Sequence, residues 1–89
     1  MLFLPVAAEF LGTFLLLTVI FFTGNWLAIG LTLAGIVLVI GNVSGGHVNP
    51  VVSLAMFLKG GINATELASY AAAQCAGAAA AFYTHAALI

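Results

Sequence analysis

A short polar interruption, SGGHVNP at residues 44–50, places a histidine, an asparagine and a proline inside an otherwise apolar chain. Because Asn49 precedes Pro50, the sequence predicts a helix with Asn49 as its N-cap and Pro50 as its first residue. The asparagine oxygen would accept a hydrogen bond from this helix, and the amide N–H₂ would point outward as a donor. The positive end of the helix dipole lies at the same point.

Two glycines precede the histidine and allow the backbone to turn tightly. Gly45 and Gly46 carry no side chain, so their carbonyl groups are free to face an open lumen. The loop therefore predicts a row of carbonyl acceptors that leads to the amide donor of Asn49. Such a site suits a small neutral solute that forms hydrogen bonds, and it opposes cations. It offers no acid–base group for catalysis, so the sequence predicts a protein that is not an enzyme.

The composition predicts that this chain lies in a lipid bilayer. Of its 89 residues, 65% are hydrophobic and 3% are charged, and the mean hydropathy is +1.33, which leaves no polar shell for a soluble domain. The net charge of −1 provides no basic surface for nucleic acid. A single cysteine, Cys75, makes neither an internal disulfide nor a metal-ligand spacing, so no metal or other cofactor is predicted.

The apolar stretches predict three transmembrane helices and one shorter helix. Residues 2–23, 27–43 and 63–88 are each long enough to cross a hydrocarbon core of about 30 Å, the second only just. Residues 44–58 lie between the last two spans, and their apolar part, 50–58, reaches only about 13–14 Å as a helix. It has no polar face for lipid headgroups, which favours a re-entrant half-helix at the edge of a cavity.

The third span carries a start signal and small residues at helical spacing. Asn63 and Glu66 are spaced as an N-cap and the acidic residue of a capping box. Small residues four positions apart predict close packing between helices. They are Ala73, Gly77 and Ala81 in the third span, and Ala8 and Gly12 in the first.

Three motifs, in this order along the chain, resemble the major intrinsic protein family of aquaporins and glycerol facilitators. AAEFLGTF at residues 7–14 is similar to the first-helix pattern A-E-F-x-G-T, and YAAAQCAGAAAA at residues 70–81 is similar to the third-helix pattern A-Q-x-x-G-A. SGGHVNPVV at residues 44–52 resembles the first pore loop, S-G-x-H-x-N-P-A-V. The resemblance covers essentially residues 1–89. It implies an all-α membrane protein that forms one inverted-repeat half of an aquaporin-like fold.

The resemblance assigns pore-lining roles to five residues. Asn49 would be the donor at the membrane midplane, and the carbonyl groups of Gly45, Gly46 and His47 would line the vestibule. Ile29, twenty residues before Asn49, matches a selectivity-filter position that is usually aromatic in the family. The apolar Ile29 is therefore a departure from the family pattern.

Four further residues would support the pore loop. Glu9 matches a first-helix glutamate that holds re-entrant loops through hydrogen bonds, in agreement with the need of a buried carboxylate for partners. Gln74 would help in the same way, and Pro50 would start the half-helix. Val51 departs from the family pattern, which has alanine at this position, where two half-helices meet.

The expected function is a passive transmembrane channel for water or a small neutral solute such as glycerol. The family has two asparagine–proline boxes in two inverted halves, and this sequence contains one, so the pore is complete only with a second half. That half is either missing sequence, a second copy in an antiparallel homodimer, or a separately encoded chain. Four complete pores would then form a tetramer. The alternative is a non-conducting helical membrane scaffold or regulatory protein, which would not need an amide like that of Asn49.

The sequence also predicts an integral, multi-pass membrane protein in contact with the lipid bilayer. Lys59 is the only lysine or arginine, so the positive-inside signal is weak. The N-terminus and the loop containing Lys59 fall on the same side of the predicted spans. This arrangement favours a cytoplasmic location for both.

Overall fold

The computed structural model describes residues 2–89, which form four α-helices and no β-strand. The helices are α1 (Phe3–Thr23), α2 (Trp26–Ile40), α3 (Pro50–Leu58) and α4 (Ala64–Leu88). They form a bundle with overall dimensions of 40 × 24 × 20 Å. The predicted all-helical fold class is therefore confirmed.

The predicted turn between the first two helices is present. Helix α1 ends at Gly24, which has a φ of 55° and donates its N–H to the carbonyl of Ile20. Asn25 then caps α2 by accepting a hydrogen bond from the N–H of Ala28 at 2.9 Å. The short linker therefore ends one helix and starts the next with local hydrogen bonds.

Helix α2 ends earlier than its apolar stretch. The sequence predicted a continuous second segment over residues 27–43, whereas the helix ends at Ile40 and turns follow from Gly41 to Ser44. The N–H groups of Val43 and Ser44 both donate to the carbonyl of Ile40. The Ser44 side chain bonds to Glu9 of α1, a long-range contact that hydropathy does not reveal.

Both predicted capping motifs are confirmed. Asn49 is the N-cap of α3 with Pro50 at its first position, and this helix has nine residues. At the start of α4, the side chain of Asn63 accepts from the N–H of Glu66 at 2.8 Å, and the Glu66 carboxylate accepts from the N–H of Asn63 at 2.9 Å. Each helix therefore begins at the residue that its capping chemistry specifies.

Helices α1 and α4 pack closely through small residues, as predicted. A Cβ atom on Gly77 would lie 2.6 Å from the carbonyl oxygen of Phe10 and 3.1 Å from the amide nitrogen of Phe14, so only glycine fits this approach. The other predicted small residues are also buried: Ala73 and Ala81 in α4, and Ala8 and Gly12 in α1. Gly12 faces Ile36 and Ile40 of α2 and Val48 of the loop. Helix α2 packs on α1, and α3 packs on α4.

Large apolar side chains cover the outside of the bundle. Leu38, Trp26 and Phe3 are each at least three-quarters exposed, in the company of many other leucine, valine and aromatic residues. Among the described helices, α1 alone is both long enough and apolar enough to cross a membrane by length and composition. Helix α2 has 15 residues, and the 25-residue α4 is rich in alanine.

Replacing Gly77 with alanine is expected to separate α1 from α4 and to lower the free energy of unfolding. The added methyl group would overlap the Phe10 carbonyl, and overpacking of this kind costs roughly 1–3 kcal/mol. The measurement is denaturant-induced unfolding of the detergent-solubilised protein. The control is Gly30→Ala in α2, where a Cβ atom meets no atom within 4 Å and helix propensity favours alanine. Equal stability of the two variants would contradict the close approach.

Candidate functional site

The carboxylate of Glu9 lies at the centre of the site and is completely buried. Its Oε2 atom accepts hydrogen bonds from the Ser44 hydroxyl at 2.6 Å and from the backbone N–H of His47 at 3.0 Å. Its Oε1 atom accepts from the backbone N–H of Val48 at 2.7 Å and from Nε2 of Gln74 at 2.9 Å. All four partners donate, so both carboxylate oxygens act as hydrogen-bond acceptors.

These four hydrogen bonds join three separate elements. Glu9 belongs to α1, Gln74 belongs to α4, and the other donors lie in residues 44–48 of the loop before α3. A buried carboxylate is costly unless its oxygens are bonded, and hydrogen bonds to a charged group are among the strongest in proteins. The charge therefore fixes the back of the loop to both long helices.

A second set of hydrogen bonds extends this network to α3. The hydroxyl oxygen of Ser53 accepts from Nε2 of Gln74 at 3.0 Å and lies 2.8 Å from Nδ1 of His47. The hydroxyl of Tyr70 donates to the carbonyl oxygen of Ser44 at 2.8 Å. The Tyr70 ring also packs edge-on against the imidazole of His47, with 5.2 Å between ring centroids. From α4, Gln74 thus holds the half-helix and Tyr70 holds the loop.

The loop backbone is unusual at three positions. Gly45, Gly46 and Val48 have φ angles of 95°, 64° and 46°. A β-branched residue such as Val48 rarely adopts this left-handed conformation, which costs of order 1–3 kcal/mol. The side chain of Val48 is buried against α1, where its Cγ1 atom would lie 2.8 Å from a Cβ atom on Gly12. Packing against Gly12 and the bond to Glu9 hold this strained residue next to Asn49.

The amide of Asn49 is oriented by its capping bond. Its Oδ1 atom accepts from the backbone N–H of Val51 at 2.9 Å, so the N–H₂ group faces away from α3. Asn49 is exposed and borders a groove of about 320 Å³ between α1 and α4, beyond the N-terminus of α3. The groove is lined by Thr13, Leu16, Leu17, Ile20, Val48, Asn49, Pro50, Gln74, Cys75 and Ala78.

Two residues that line this groove carry buried polar atoms without a partner within residues 2–89. These atoms are Oγ1 of Thr13 and Oε1 of Gln74. An unpaired buried polar group costs about 1–3 kcal/mol. Both atoms are buried within the fold, whereas the exposed amide at the groove belongs to Asn49.

The structure brings most of the predicted site residues together. Glu9, His47 and Gln74 form the network behind the loop, whereas Gly46 is buried and Gly45 is exposed. Pro50 lies beside Asn49 in the groove, and Val51 is 70% exposed. Ile29 is half-buried in the first turn of α2 and does not line the groove of Asn49. The pore-lining roles that the family resemblance assigns remain predictions.

Sequence reasoning missed Ser53, Tyr70 and Thr13. Each of them carries a weak signal in the sequence. Ser53 is the one polar residue inside the apolar α3. Thr13 and Tyr70 lie four positions from Glu9 and Gln74, on the same helix faces. Within residues 2–89, no three acidic, histidine or cysteine side chains lie close enough to hold a metal ion.

Replacing Glu9 with glutamine is expected to release the loop. The amide would turn an N–H₂ group toward donors, and the lost bonds to a charged acceptor cost roughly 3 kcal/mol or more. The measurement is amide hydrogen exchange of His47 and Val48, which should accelerate at least about a hundredfold. The control is Glu66→Gln, the same chemical change at a capping box that accepts glutamine. Equal exchange in both variants would contradict the central role of Glu9.

Comparison of the sequence with known proteins identifies a family. The sequence model of the family described as major intrinsic protein matches residues 21–88. Glycerol uptake facilitator protein-like 6 of Lactiplantibacillus plantarum is 42% identical over 80 residues, which cover 80% of this chain and 37% of that protein. Two proteins named aquaporin Z, from Photorhabdus laumondii and Brucella melitensis, are 36% and 40% identical over 81% and 85% of this chain.

The matches cover 38% and 40% of those relatives, so the chain spans about two fifths of the length of the proteins it resembles. No solved structure matches the chain. The chain belongs to the major intrinsic protein family.

Proposed function

We propose that this chain forms one half of a passive transmembrane channel for water or a small neutral solute such as glycerol. The observation that carries this proposal is the position of Asn49 at the tip of a nine-residue half-helix. Its oxygen caps the helix, and its N–H₂ group faces outward beside an open groove. Proteins of this family are channels and not enzymes.

The transport mechanism follows from the polarity of the loop. A solute would pass the carbonyl acceptors of Gly45, Gly46 and His47 before its oxygen accepts a hydrogen bond from the amide of Asn49. The dipole of α3 adds partial positive charge at this point and opposes cations. A single donor at the end of an acceptor row also reverses the direction of hydrogen bonding, so a proton-conducting chain of water molecules is interrupted. One half supplies only part of this barrier.

The groove supports the requirement for a second half. It lies between α1 and α4 beside the N-terminus of α3, and α3 itself is only about 13 Å long. A segment that fills the groove would cover its apolar side chains, such as Leu16, Leu17 and Ile20. That segment belongs to a second copy in antiparallel orientation, to further sequence, or to another chain. Complete pores would then assemble as a tetramer.

The proposed membrane arrangement has α1, α2 and α4 as spans and α3 as a re-entrant helix. The exposed apolar side chains would face lipid or neighbouring protein. Leu2 and Pro5 border the same cleft as Asn63 and Glu66, so the start of α1 and the loop before α4 lie at one end of the bundle. This end carries Lys59 and is proposed to be cytoplasmic.

Replacing Asn49 with aspartate is expected to reduce solute flux at least about tenfold, the effect of one lost hydrogen bond of ~1.4 kcal/mol. Aspartate keeps the capping oxygen but removes the donor and adds an acceptor that is able to carry charge. The measurement is osmotic water permeability of proteoliposomes by stopped-flow light scattering. The control is Asn63→Asp, the same change at the N-cap of α4.

The comparison between the two variants separates folding from transport. Both should insert and keep their helix content, and only Asn49→Asp should lose permeability. Unchanged flux in Asn49→Asp would contradict the donor role of Asn49. If the unaltered chain inserts and no permeability exceeds that of empty vesicles, the chain requires a partner that the vesicles lack. Restoration of flux by a co-expressed second half of a related channel would then support the proposal, and failure to restore it would favour a non-conducting scaffold.

Filling the groove is expected to prevent assembly of the pore. Ala78→Trp would place an indole ring where the second half is proposed to lie, because Ala78 lines the groove. The control, Ala79→Trp, adds the same ring at the adjacent exposed position. Cross-linking in membranes and vesicle permeability should both fall for Ala78→Trp and remain for the control. If both variants keep their permeability, the groove is not the pairing surface.

A further inference from the structure

The direction of each hydrogen bond can be traced from Glu9 to the imidazole of His47. Both oxygens of Glu9 accept hydrogen bonds from backbone N–H groups, and the Gln74 atom that lies 2.9 Å from Oε1 is the N–H₂ nitrogen. The same nitrogen lies 3.0 Å from the hydroxyl oxygen of Ser53. Gln74 therefore donates its two amide protons to Glu9 and to Ser53. A reversed amide would point its oxygen at the carboxylate.

The hydroxyl proton of Ser53 has one available destination. Ser53 is completely buried, so solvent does not reach it, and its oxygen already accepts from Gln74. Nδ1 of His47 lies 2.8 Å away and is the other hydrogen-bond partner of this hydroxyl within residues 2–89. A buried hydroxyl that donates to nothing is costly. The Ser53 proton therefore points at Nδ1, and Nδ1 is an acceptor.

An imidazole whose Nδ1 accepts a hydrogen bond carries its proton on Nε2. A Cβ atom added to Gly45 would lie only 2.8 Å from Nε2 of His47. This nitrogen therefore lies beside the backbone of Gly45, an exposed residue of the loop. No acceptor within residues 2–89 bonds to it. The hydroxyl of Tyr70, which packs against this ring, is directed at Ser44 instead. The Nε2–H group is thus left to bond with a molecule outside the network.

We infer that the buried carboxylate fixes His47 as its Nε2–H tautomer, through Gln74 and Ser53. The Nε2–H group is then a second hydrogen-bond donor beside Gly45, and it binds the oxygen of water or of a hydroxyl-bearing solute. Ser53 is a positioning residue, because it acts on the solute only through the ring of His47. The tautomer follows from the network alone, whereas the role toward solute rests on the proposed function.

This donor changes the chemistry of the proposed vestibule. The carbonyl groups of Gly45 and Gly46 accept hydrogen bonds, and the amide of Asn49 donates at the far end of the loop. The Nε2–H group of His47 adds a donor at the near end, beside Gly45. A solute with a hydroxyl group both donates and accepts, so it would find partners of both kinds at the entrance. A cation has no lone pair that accepts a hydrogen bond from this additional N–H group, so the group would oppose its entry.

The test is ¹⁵N NMR of the imidazole rings in the full chain, in detergent micelles near neutral pH. The variant His85→Gln leaves His47 as the single imidazole, and His85 itself lies away from the network, against Phe22 at 4.8 Å between ring centroids. The expected spectrum shows a neutral ring with at least about a tenfold excess of the Nε2–H form, the ratio set by one hydrogen bond of ~1.4 kcal/mol. A predominant Nδ1–H form or a charged ring would overturn the inference.

Variants of Ser53 test the positioning role. Ser53→Ala removes the proton donor to Nδ1, so the excess of the Nε2–H form should fall at least about threefold. Ser53→Thr keeps the hydroxyl and should retain the excess. An unchanged ratio in Ser53→Ala would overturn the role of Ser53. If this variant does not fold, the tautomer of the unaltered chain still decides the inference.

The donor role has its own measurement. Magnetisation exchange between water and the Nε2–H proton should be observed, and added glycerol should shift this resonance. A proton that neither exchanges with water nor responds to glycerol would overturn the donor role. These measurements require no conduction, so a failed permeability test of Asn49→Asp would remove the proposed function without changing the tautomer.

Discussion

One buried negative charge, the carboxylate of Glu9, determines the shape of the rest of the site. Its two oxygens accept hydrogen bonds from two elements that pack near α1, the loop at residues 44–48 and Gln74 of α4. A buried carboxylate tolerates few arrangements, since each of its lone pairs needs a donor. The N–H groups of His47 and Val48 meet this need from a loop in which Gly45, Gly46 and Val48 have positive φ angles. The bond from Val48 to Glu9 helps to hold this strained backbone in place.

The same constraint explains why hydrogen bonds within the chain lie on one side of the loop only. The back of the loop is saturated with hydrogen bonds, and the side chains of Ser53 and Tyr70 add to them from α3 and α4. The front of the loop is left with groups that have no internal partner, above all the N–H₂ group of Asn49. Rigid support on one side and free donors on the other is the arrangement that brief recognition of a small neutral molecule requires, because little conformational entropy is lost when the molecule binds.

The local parts of this fold were predictable from sequence, and the long-range parts were not. Asn49–Pro50 and Asn63–Glu66 specify helix starts through bonds within a few residues, and both starts are found. The bond between Ser44 and Glu9 was not predicted, because the two residues are 35 positions apart and no local pattern encodes their contact. Ser53 was missed for the same reason, since its partners lie on the loop and on α4. The resemblance to the family identified Glu9 and Gln74, whereas hydropathy alone identified only that a carboxylate in an apolar helix needs donors.

The bonds of Glu9 separate what this half does alone from what it is proposed to do in a pair. All donors to Glu9 come from the chain itself, so the loop and the half-helix are held without help from a second half. The groove is different, because apolar side chains such as Leu16 and Ile20 line it and stay partly exposed. A segment that enters the groove would cover these side chains, and the burial of apolar surface would favour pairing. Folding of the half therefore depends on the hydrogen bonds of Glu9, whereas the proposed pairing of halves depends on the apolar lining of the groove.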